Sequence, residues 1–296
     1  MNRRRTILLN GLWWTALVVY LLLAVNHCDT ERGKLTIGEV EIVIRDSAEL
    51  GIVSRAMVER WLRSDGVDVK GRPVEEVNTE EIESFIRSRN FVRSADVYTD
   101  LRGTLHIRIA QRRPIARVHT SNGYSFYVTD DHYILSTQGN APVYVPVITG
   151  RFTPPFARDF TGDFEAEGSE EQKKSSKSYQ FFHKLITFVK LIESDDFWSS
   201  QIVQINVLGG ADAVVDEWGR SEEAAAGGGG RSRYREPDVE IVPRAGNHVV
   251  MLGKLDDAES KLDRLMLFYR NALDWEGWDN QRYINLKYEN QIICTK

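Results

Sequence analysis

One stretch near the N-terminus is apolar without interruption, and the rest of the chain alternates between strand and helix periods. Residues 7–25 carry no formal charge, and Arg3, Arg4 and Arg5 stand shortly before them. A helix of this length rises about 28 Å, close to the ~30 Å hydrocarbon thickness of a bilayer. We therefore expect one transmembrane helix over 7–25. The three arginines favour a cytoplasmic tail at 1–6, with the bulk of the chain on the other side.

Two other interpretations of the N-terminus stay open. A cleaved signal peptide also begins with positive charge, but its apolar region is usually about 7–15 residues long and ends at small residues. Here the run is longer and ends in Ala24-Val25-Asn26-His27-Cys28. A lipoprotein cysteine at Cys28 would need a small residue in place of His27. An uncleaved anchor is favoured over both, followed by a linker at 26–36.

The periodicities of residues 37–112 predict a strand, two helices and a hairpin. Apolar side chains alternate with polar ones up to Ile44, which predicts a half-buried strand. Ser54 and Asn78 stand at N-cap positions, each before apolar residues spaced three and four apart. Two further alternating stretches meet at Gly103, which predicts a turn. We expect both helices on one face of the sheet, and one exposed sheet edge that could accept a partner's strand.

Residues 113–296 predict a mostly antiparallel β domain with helices, so that the class is α+β. Apolar residues recur at helical spacing over Tyr179–Ile192 and Leu262–Leu273. Strand patterns occupy a hairpin at 124–135 that turns at Asp130-Asp131, then Ile202–Val207, Val239–Val242, His248–Leu252 and Tyr283–Cys294. Two stretches, 162–177 and 208–237, are too polar or too glycine-rich to bury an apolar face. We expect mobile loops there.

Composition narrows the function further. The net charge of -5 gives no basic footprint for phosphate neutralisation, which disfavours nucleic-acid binding. The two cysteines, Cys28 and Cys294, make no disulfide framework. They could pair only if the last strand returned to the membrane, and we expect Cys294 to act instead as a small unpaired hydrophobe.

Candidate chemistry is sparse. The six histidines show no helical i, i+4 pair and no metal-ligand spacing. Asp130-Asp131-His132 could bind a cation, but a hairpin turn is the favoured interpretation, because Asp bonds to its own backbone in turns. The sequence contains no nucleophile elbow, P-loop or dinucleotide motif. We therefore expect no catalytic residues, no cofactor and no metal.

The element order of residues 37–112 resembles a POTRA domain, and a junction follows it at Gln111-Arg112-Arg113-Pro114-Ile115-Ala116. From this junction onward the chain is similar to the FtsQ/DivIB family of bacterial cell-division proteins. The segments that match in order are Tyr127–Asp131, Val145–Gly150, Ile202–Val207, Lys261–Leu265 and Ile284–Tyr288. Each is a common pattern by itself. Their number and order behind an N-terminal anchor make the resemblance specific.

The resemblance implies a non-enzymatic bitopic scaffold of the divisome, in the inner membrane at the division site, with its bulk in the periplasm. Such a scaffold links early and late division proteins and helps regulate septal peptidoglycan synthesis. Its implied partners are FtsB/FtsL-type bitopic proteins and other components of the FtsK, FtsW and FtsI types. In the family the C-terminal strand region docks FtsB/FtsL, which here implies Leu286, Lys287, Tyr288 and Asn290. The nearby Trp275 and Trp278 are expected in the core.

Two rival functions stay open. A membrane-anchored envelope enzyme, such as a peptidoglycan hydrolase, would depend on polar side chains of a concave site, for example His132 or His183. A POTRA-containing assembly or secretion factor would usually carry tandem POTRA repeats, and the sequence shows no second repeat of about 75 residues.

Overall fold

The computed structural model describes residues 13–23, 35–45, 51–64, 69–137, 143–209, 236–273, 277–278, 280–289 and 291–295. Two compact units meet in sequence between Gln111 and Arg112. Residues 13–23 form a helix, α1. Within the described ranges, no helix is both long enough and apolar enough to cross a bilayer. Arg3, Arg4 and Arg5, both ends of the predicted span and most of the linker lie outside those ranges.

The first unit is a three-stranded sheet with two helices. Its elements are β1 (Glu39–Ile44), α2 (Arg55–Ser64), a 3-10 turn (Val74–Glu76), α3 (Thr79–Arg87), β2 (Val92–Thr99) and β3 (Thr104–Gln111). The sheet order is β1-β3-β2, with β1 parallel and β2 antiparallel to β3. The predicted strand, helix, helix, strand, strand order is confirmed.

Local signals explain these boundaries. The Ser54 hydroxyl accepts a bond from the Met57 amide at 3.3 Å, and the Asn78 side chain accepts one from the Glu81 amide at 3.2 Å, so both predicted caps are confirmed. Gly103 has φ +81°, and a side chain there would meet a backbone oxygen at 2.5 Å. The β2–β3 turn therefore requires glycine.

The number of sheet edges differs from the expectation. Because β3 lies in the centre, both β1 and β2 are edges among the described strands, and the expected single edge is wrong. Side chains partly cover each edge. The guanidinium of Arg55 lies 3.5 Å from the Val40 carbonyl oxygen of β1, and the amide of Val97 in β2 donates to Glu83 at 3.4 Å.

The second unit is built on a ten-stranded sheet. Its strands are β4 (Pro114–Thr120), β5 (Ser125–Thr129), β6 (Tyr133–Ser136), β7 (Val147–Gly150), β8 (Gly162–Asp163), β9 (Ile202–Leu208), β10 (Asp238–Pro243), β11 (Val249–Gly253), β12 (Tyr283–Asn285) and β13 (Ile293–Thr295). The strand order is β13-β12-β11-β10-β9-β7-β4-β5-β6-β8. Six of the nine pairs between described strands are antiparallel and three are parallel. The mostly antiparallel α+β class is confirmed.

Helices cover one face of this sheet. They are α4 (Glu170–Ser175), α5 (Lys177–Glu193), α6 (Asp196–Gln201) and α7 (Ala258–Phe268), which continues into a π-helical turn (Tyr269–Leu273). Both predicted amphipathic helices are thereby confirmed. The core centres on Phe182 of α5, which is fully buried. Its ring lies 5.1 Å from Phe164 and 5.4 Å from Phe156, both edge-on, an arrangement that aromatic pairs prefer.

The segment 162–177 is not the unpacked stretch that its composition predicts. It contains β8 and α4, and the side chain of Phe164 is buried in the core. A reciprocal capping box between Ser169 and Gln172 starts α4. The expectation of no packed element is therefore wrong here. The buried Phe164 and the cap at Ser169 are sufficient for packed structure, although most residues of the segment are polar. Mobility stays a prediction. Residues 210–235 of the second stretch lie outside the described ranges.

Candidate partner-binding edge

The last two strands form one end of the ten-stranded sheet. β13 pairs antiparallel with β12, through Tyr283 with Thr295 and Asn285 with Ile293. No described strand pairs with the far side of β13. The opposite end of the sheet is β8, only two residues long. Of the two ends, β13 is therefore the better template for an added strand.

A single strand over Tyr283–Cys294, as the alternation predicts, is wrong. The structure has two three-residue strands, β12 and β13, that run in opposite directions. The Asn285 side chain accepts a hydrogen bond from the Lys287 amide at 3.0 Å, a local bond by which Asn favours turns. The chain therefore leaves the strand direction directly after β12.

Leu286 anchors this turn from inside. Its side chain is fully buried, and its amide donates to the Met251 carbonyl at 2.9 Å. Arg264 of α7 donates to the Leu286 carbonyl at 3.2 Å. Leu286 therefore belongs to the core.

Lys287 forms an ion pair with a residue of β10. Its Nζ donates to Asp238 Oδ2 of β10 at 2.6 Å, and both side chains are about three-quarters buried. Its methylene groups cross Gly253, where an added Cβ would lie 2.9 Å from Lys287 Cγ. Glycine at this position, with φ +71°, therefore makes room for the lysine chain. The ion pair fixes the residue that precedes Tyr288.

Among the described residues of the predicted set, Tyr288 is the exposed one, with 52% of its surface accessible. A continuous strand would place Tyr288 on the same face as Ile284 and Leu286, but these two are buried and Tyr288 is not, so that placement is wrong. The Arg264 guanidinium donates to the Tyr288 carbonyl at 2.8 Å, so the backbone is fixed while the side chain is largely exposed. Asn290 lies outside the described residues.

Two more exposed side chains belong to β12 and β13, and neither is among the predicted site residues. Tyr283 is 36% and Ile293 is 43% exposed. The register places both on the sheet face opposite to Ile284 and Cys294, which pack on the core. We call Tyr283, Tyr288 and Ile293 the edge cluster.

Comparison with known families bears on this unit directly. Residues 113–216 and 232–295 match the family model described as FtsQ/DivIB, C-terminal related, and residues 37–110 match that of a POTRA-like domain. The first match alone covers more than half of the chain. The chain belongs to the FtsQ/DivIB family. No curated protein matches it. The family resemblance is confirmed, and membership makes this a cell-division protein.

In this FtsQ/DivIB chain Trp278 is a core residue rather than part of the edge cluster. Its ring lies 5.0 Å from that of Tyr269, which is itself buried. Burial raises the pKa of the Tyr269 phenol, and His248 Nε2 lies 2.8 Å from its hydroxyl. The core expectation is confirmed for Trp278. Trp275 lies outside the described ranges.

The acidic hairpin motif of this family member forms the predicted turn between β5 and β6. Asp131 is ion-paired with Arg112, the first arginine of the junction. The guanidinium of Arg112 also lies 3.6 Å from the ring centroid of Tyr133. The turn and the junction therefore support each other, a role for Arg112 that spacing alone did not reveal.

A second polar cluster lies elsewhere in this unit. Glu165 is 3.1 Å from His132 and 3.3 Å from His183, and it borders a surface groove of about 710 Å³. Two of the lysines that line this groove are paired: Lys173 bonds Glu170 at 2.9 Å, and Lys184 bonds Asp256 at 2.8 Å. These contacts raise the pKa of both lysines, which stabilises their charged form.

Proposed function

We propose that this chain is a non-enzymatic scaffold of the bacterial divisome that binds its partners through the β12–β13 edge. It would link early and late division proteins and help regulate septal peptidoglycan synthesis. Family membership supports the process, and one structural observation supports the mechanism: β13 is the terminal strand among the described strands of its sheet, and the edge cluster contributes exposed apolar side chains at this end.

The chemistry of that edge suits a partner's extended segment. Backbone groups of a sheet edge supply hydrogen bonds, and adjacent side chains supply selectivity. Tyr288 is the candidate hot spot, because aromatic residues dominate such interfaces. Leu286 and Lys287 would position it from below. The partners proposed for this edge are bitopic proteins of the FtsB/FtsL type, with FtsK, FtsW and FtsI types as further divisome partners.

The proposal includes an inner-membrane anchor at 7–25, a cytoplasmic tail, and a periplasmic part that divides into 37–112 and 113–296. Its support is the uncharged run behind three arginines. If the partners are anchored as well, confinement to one plane raises their effective concentration. Modest contacts at the edge would then suffice.

Co-purification tests the interface. The full chain is combined with candidate FtsB/FtsL ectodomains, and Tyr288→Ala is compared with Tyr98→Ala, which alters an exposed tyrosine of the first unit. We expect roughly thirtyfold weaker binding or more for Tyr288→Ala, which corresponds to the lower limit of about 2 kcal/mol for a hot spot, and no change for Tyr98→Ala. Equal binding by both variants would place the interface elsewhere.

Depletion of the protein from living cells tests its proposed role in cell division. Cells that lose the protein should form filaments with normally segregated nucleoids, since septation fails while replication continues. Normal division after depletion contradicts the divisome role, whatever the purified proteins bind.

The envelope-enzyme alternative makes a distinct prediction. It would use the cluster of His132, His183 and Glu165, and the purified chain would hydrolyse cell-wall substrate. We expect no turnover, because the Glu165 carboxylate is engaged by both histidines, which lie 3.1 and 3.3 Å from it. Turnover that His183→Gln abolishes would favour the enzyme.

A further inference from the structure

Three segments of the second unit meet at His132. It stands in the β5–β6 turn with φ +62°, a left-handed conformation that is uncommon for residues other than glycine. Its Nδ1 lies 3.1 Å from Glu165, in the segment between β8 and α4, and its Nε2 contacts Lys190 of α5. The amide of Phe164 donates to the His132 carbonyl at 3.2 Å. One residue thus joins a turn, a loop and a helix.

The chemistry of these contacts requires one protonation state. An ammonium group has only donors, so Lys190 Nζ must donate to His132 Nε2, which therefore carries no hydrogen. Nδ1 then carries the hydrogen and faces the Glu165 carboxylate at 3.1 Å. His183 Nε2 lies 3.3 Å from the other oxygen of the same carboxylate. The arrangement is complete only while His132 is neutral.

Charged groups from the neighbouring segments act on the pKa of His132 in opposite directions. Burial and the Lys190 cation hold the pKa of His132 below its usual value, and His183 acts in the same direction. Glu165 and Asp163 of β8 oppose them. The balance favours neutral imidazole, in agreement with the hydrogen-bond geometry.

We propose that His132 is a proton-controlled latch. In its neutral form it ties the segment between β8 and α4 to α5. Protonation converts Nε2 from an acceptor into a donor, which breaks the contact with Lys190 and places two cations together. Since Glu165 and His183 both line the groove of about 710 Å³, release of the latch changes that groove. The proposal is independent of the partner-binding edge.

Hydrogen–deuterium exchange on the purified full chain tests the latch. Peptides that cover residues 162–175 are followed at pH 7.5 and pH 5.5, with the intrinsic pH dependence of exchange removed. We expect these amides, Phe164 included, to exchange roughly tenfold faster at pH 5.5, because the loop loses a tether when the acceptor is lost.

Two variants and one control make the test specific. His132→Asn keeps a residue that tolerates the left-handed conformation but cannot titrate, and it should remove the pH dependence. Lys190→Gln removes the cation and should move the transition to higher pH. The control is His119→Asn, which removes an exposed histidine of β4 and should behave like the wild type.

The exchange rates of these variants can overturn the proposal in three ways. An identical pH response in the wild type and His132→Asn overturns the latch, and so does a response that His119→Asn abolishes. If His132→Asn does not fold, Lys190→Gln still decides, since an unshifted transition excludes the contact between Lys190 and His132 as its cause.

Discussion

The ion pair between Lys287 and Asp238 decides how the edge should respond to mutation. A charge change at Lys287 would usually be interpreted as the loss of a direct partner contact. In this structure its Nζ donates to Asp238 Oδ2 at 2.6 Å, and Tyr288 follows directly in the chain. We therefore predict that Lys287 acts mainly by positioning Tyr288, and that Asp238→Asn weakens partner binding although Asp238 lies on another strand.

The magnitude follows from partial burial. Exposed ion pairs contribute about 0.2–1 kcal/mol, and hydrogen bonds to charged groups about 1.5–3 kcal/mol. The side chains of Lys287 and Asp238 are 27% and 24% exposed, so the pair lies between these limits. Asp238→Asn should lower the free energy of unfolding by about 1 kcal/mol. Lys287→Glu should cost roughly 2 kcal/mol, because two carboxylates then face each other. Urea unfolding followed by fluorescence measures both losses.

A charge swap separates positioning from contact. The double variant Asp238→Lys with Lys287→Glu restores an ion pair of reversed polarity. If Lys287 positions Tyr288, co-purification with the partner should recover most of the binding that Lys287→Glu loses. The reasoning is refuted if the swap recovers stability but not binding, or if Asp238→Asn binds normally while Lys287→Met does not. Either result would assign the ammonium group to the partner.

Further predictions concern the folding and stability of the two units. Gly150→Ala should prevent stable folding of the second unit, because at φ +120° its Cβ would lie 2.0 Å from the Val207 carbonyl oxygen; soluble yield and circular dichroism would show this, and a native spectrum would contradict it. Phe182→Ala should cost about 3–5 kcal/mol in urea unfolding, and a loss below about 1 kcal/mol would mean that the core collapses around the gap. Asn78→Ala should cost about 1 kcal/mol through the lost cap, while Asn78→Asp should cost little. Because the pKa of folded His132 is lowered, protonation favours the unfolded chain. The contribution of neutral His132 to stability is therefore complete above about pH 6.5 and is lost as the pH falls below that value. The free energy of unfolding should fall less on acidification in His132→Asn than in the wild type, and equal losses would contradict this.

Local signals explain which parts of the fold could be predicted. Caps such as Asn78 and strict alternation in the β2–β3 hairpin are encoded within a few residues, and the structure follows them. The division of the last strand could not be predicted in this way. The alternation over Tyr283–Tyr288 predicts a strand that continues, while the Asn285 side chain accepts a local bond from the Lys287 amide at the point where β12 ends. The strand therefore ends at a local polar contact, although the hydrophobic pattern predicts that it continues.

The contacts on which both proposals rest were harder to predict, because they join distant positions. Lys287 and Asp238 are 49 residues apart, and His132 and Lys190 are 58 apart. Nothing in the spacing of either pair marks it, since the tertiary fold brings them together. The family resemblance predicts a binding role for Leu286 to Tyr288, but it did not indicate that Asp238 and Arg264 contact this segment.

The small size of the β13 edge has a consequence for how it could work. A long flat edge invites uncontrolled pairing between copies, and proteins commonly avoid this with short edge strands. Three residues offer only a few backbone hydrogen bonds, each with a net contribution of about 1 kcal/mol. Strand addition alone would therefore bind weakly, and the edge cluster must supply the remaining affinity and the selectivity. An edge that binds weakly without its aromatic neighbours suits an assembly in which partners meet only when they are concentrated together. Membrane anchoring of both proteins would provide that condition.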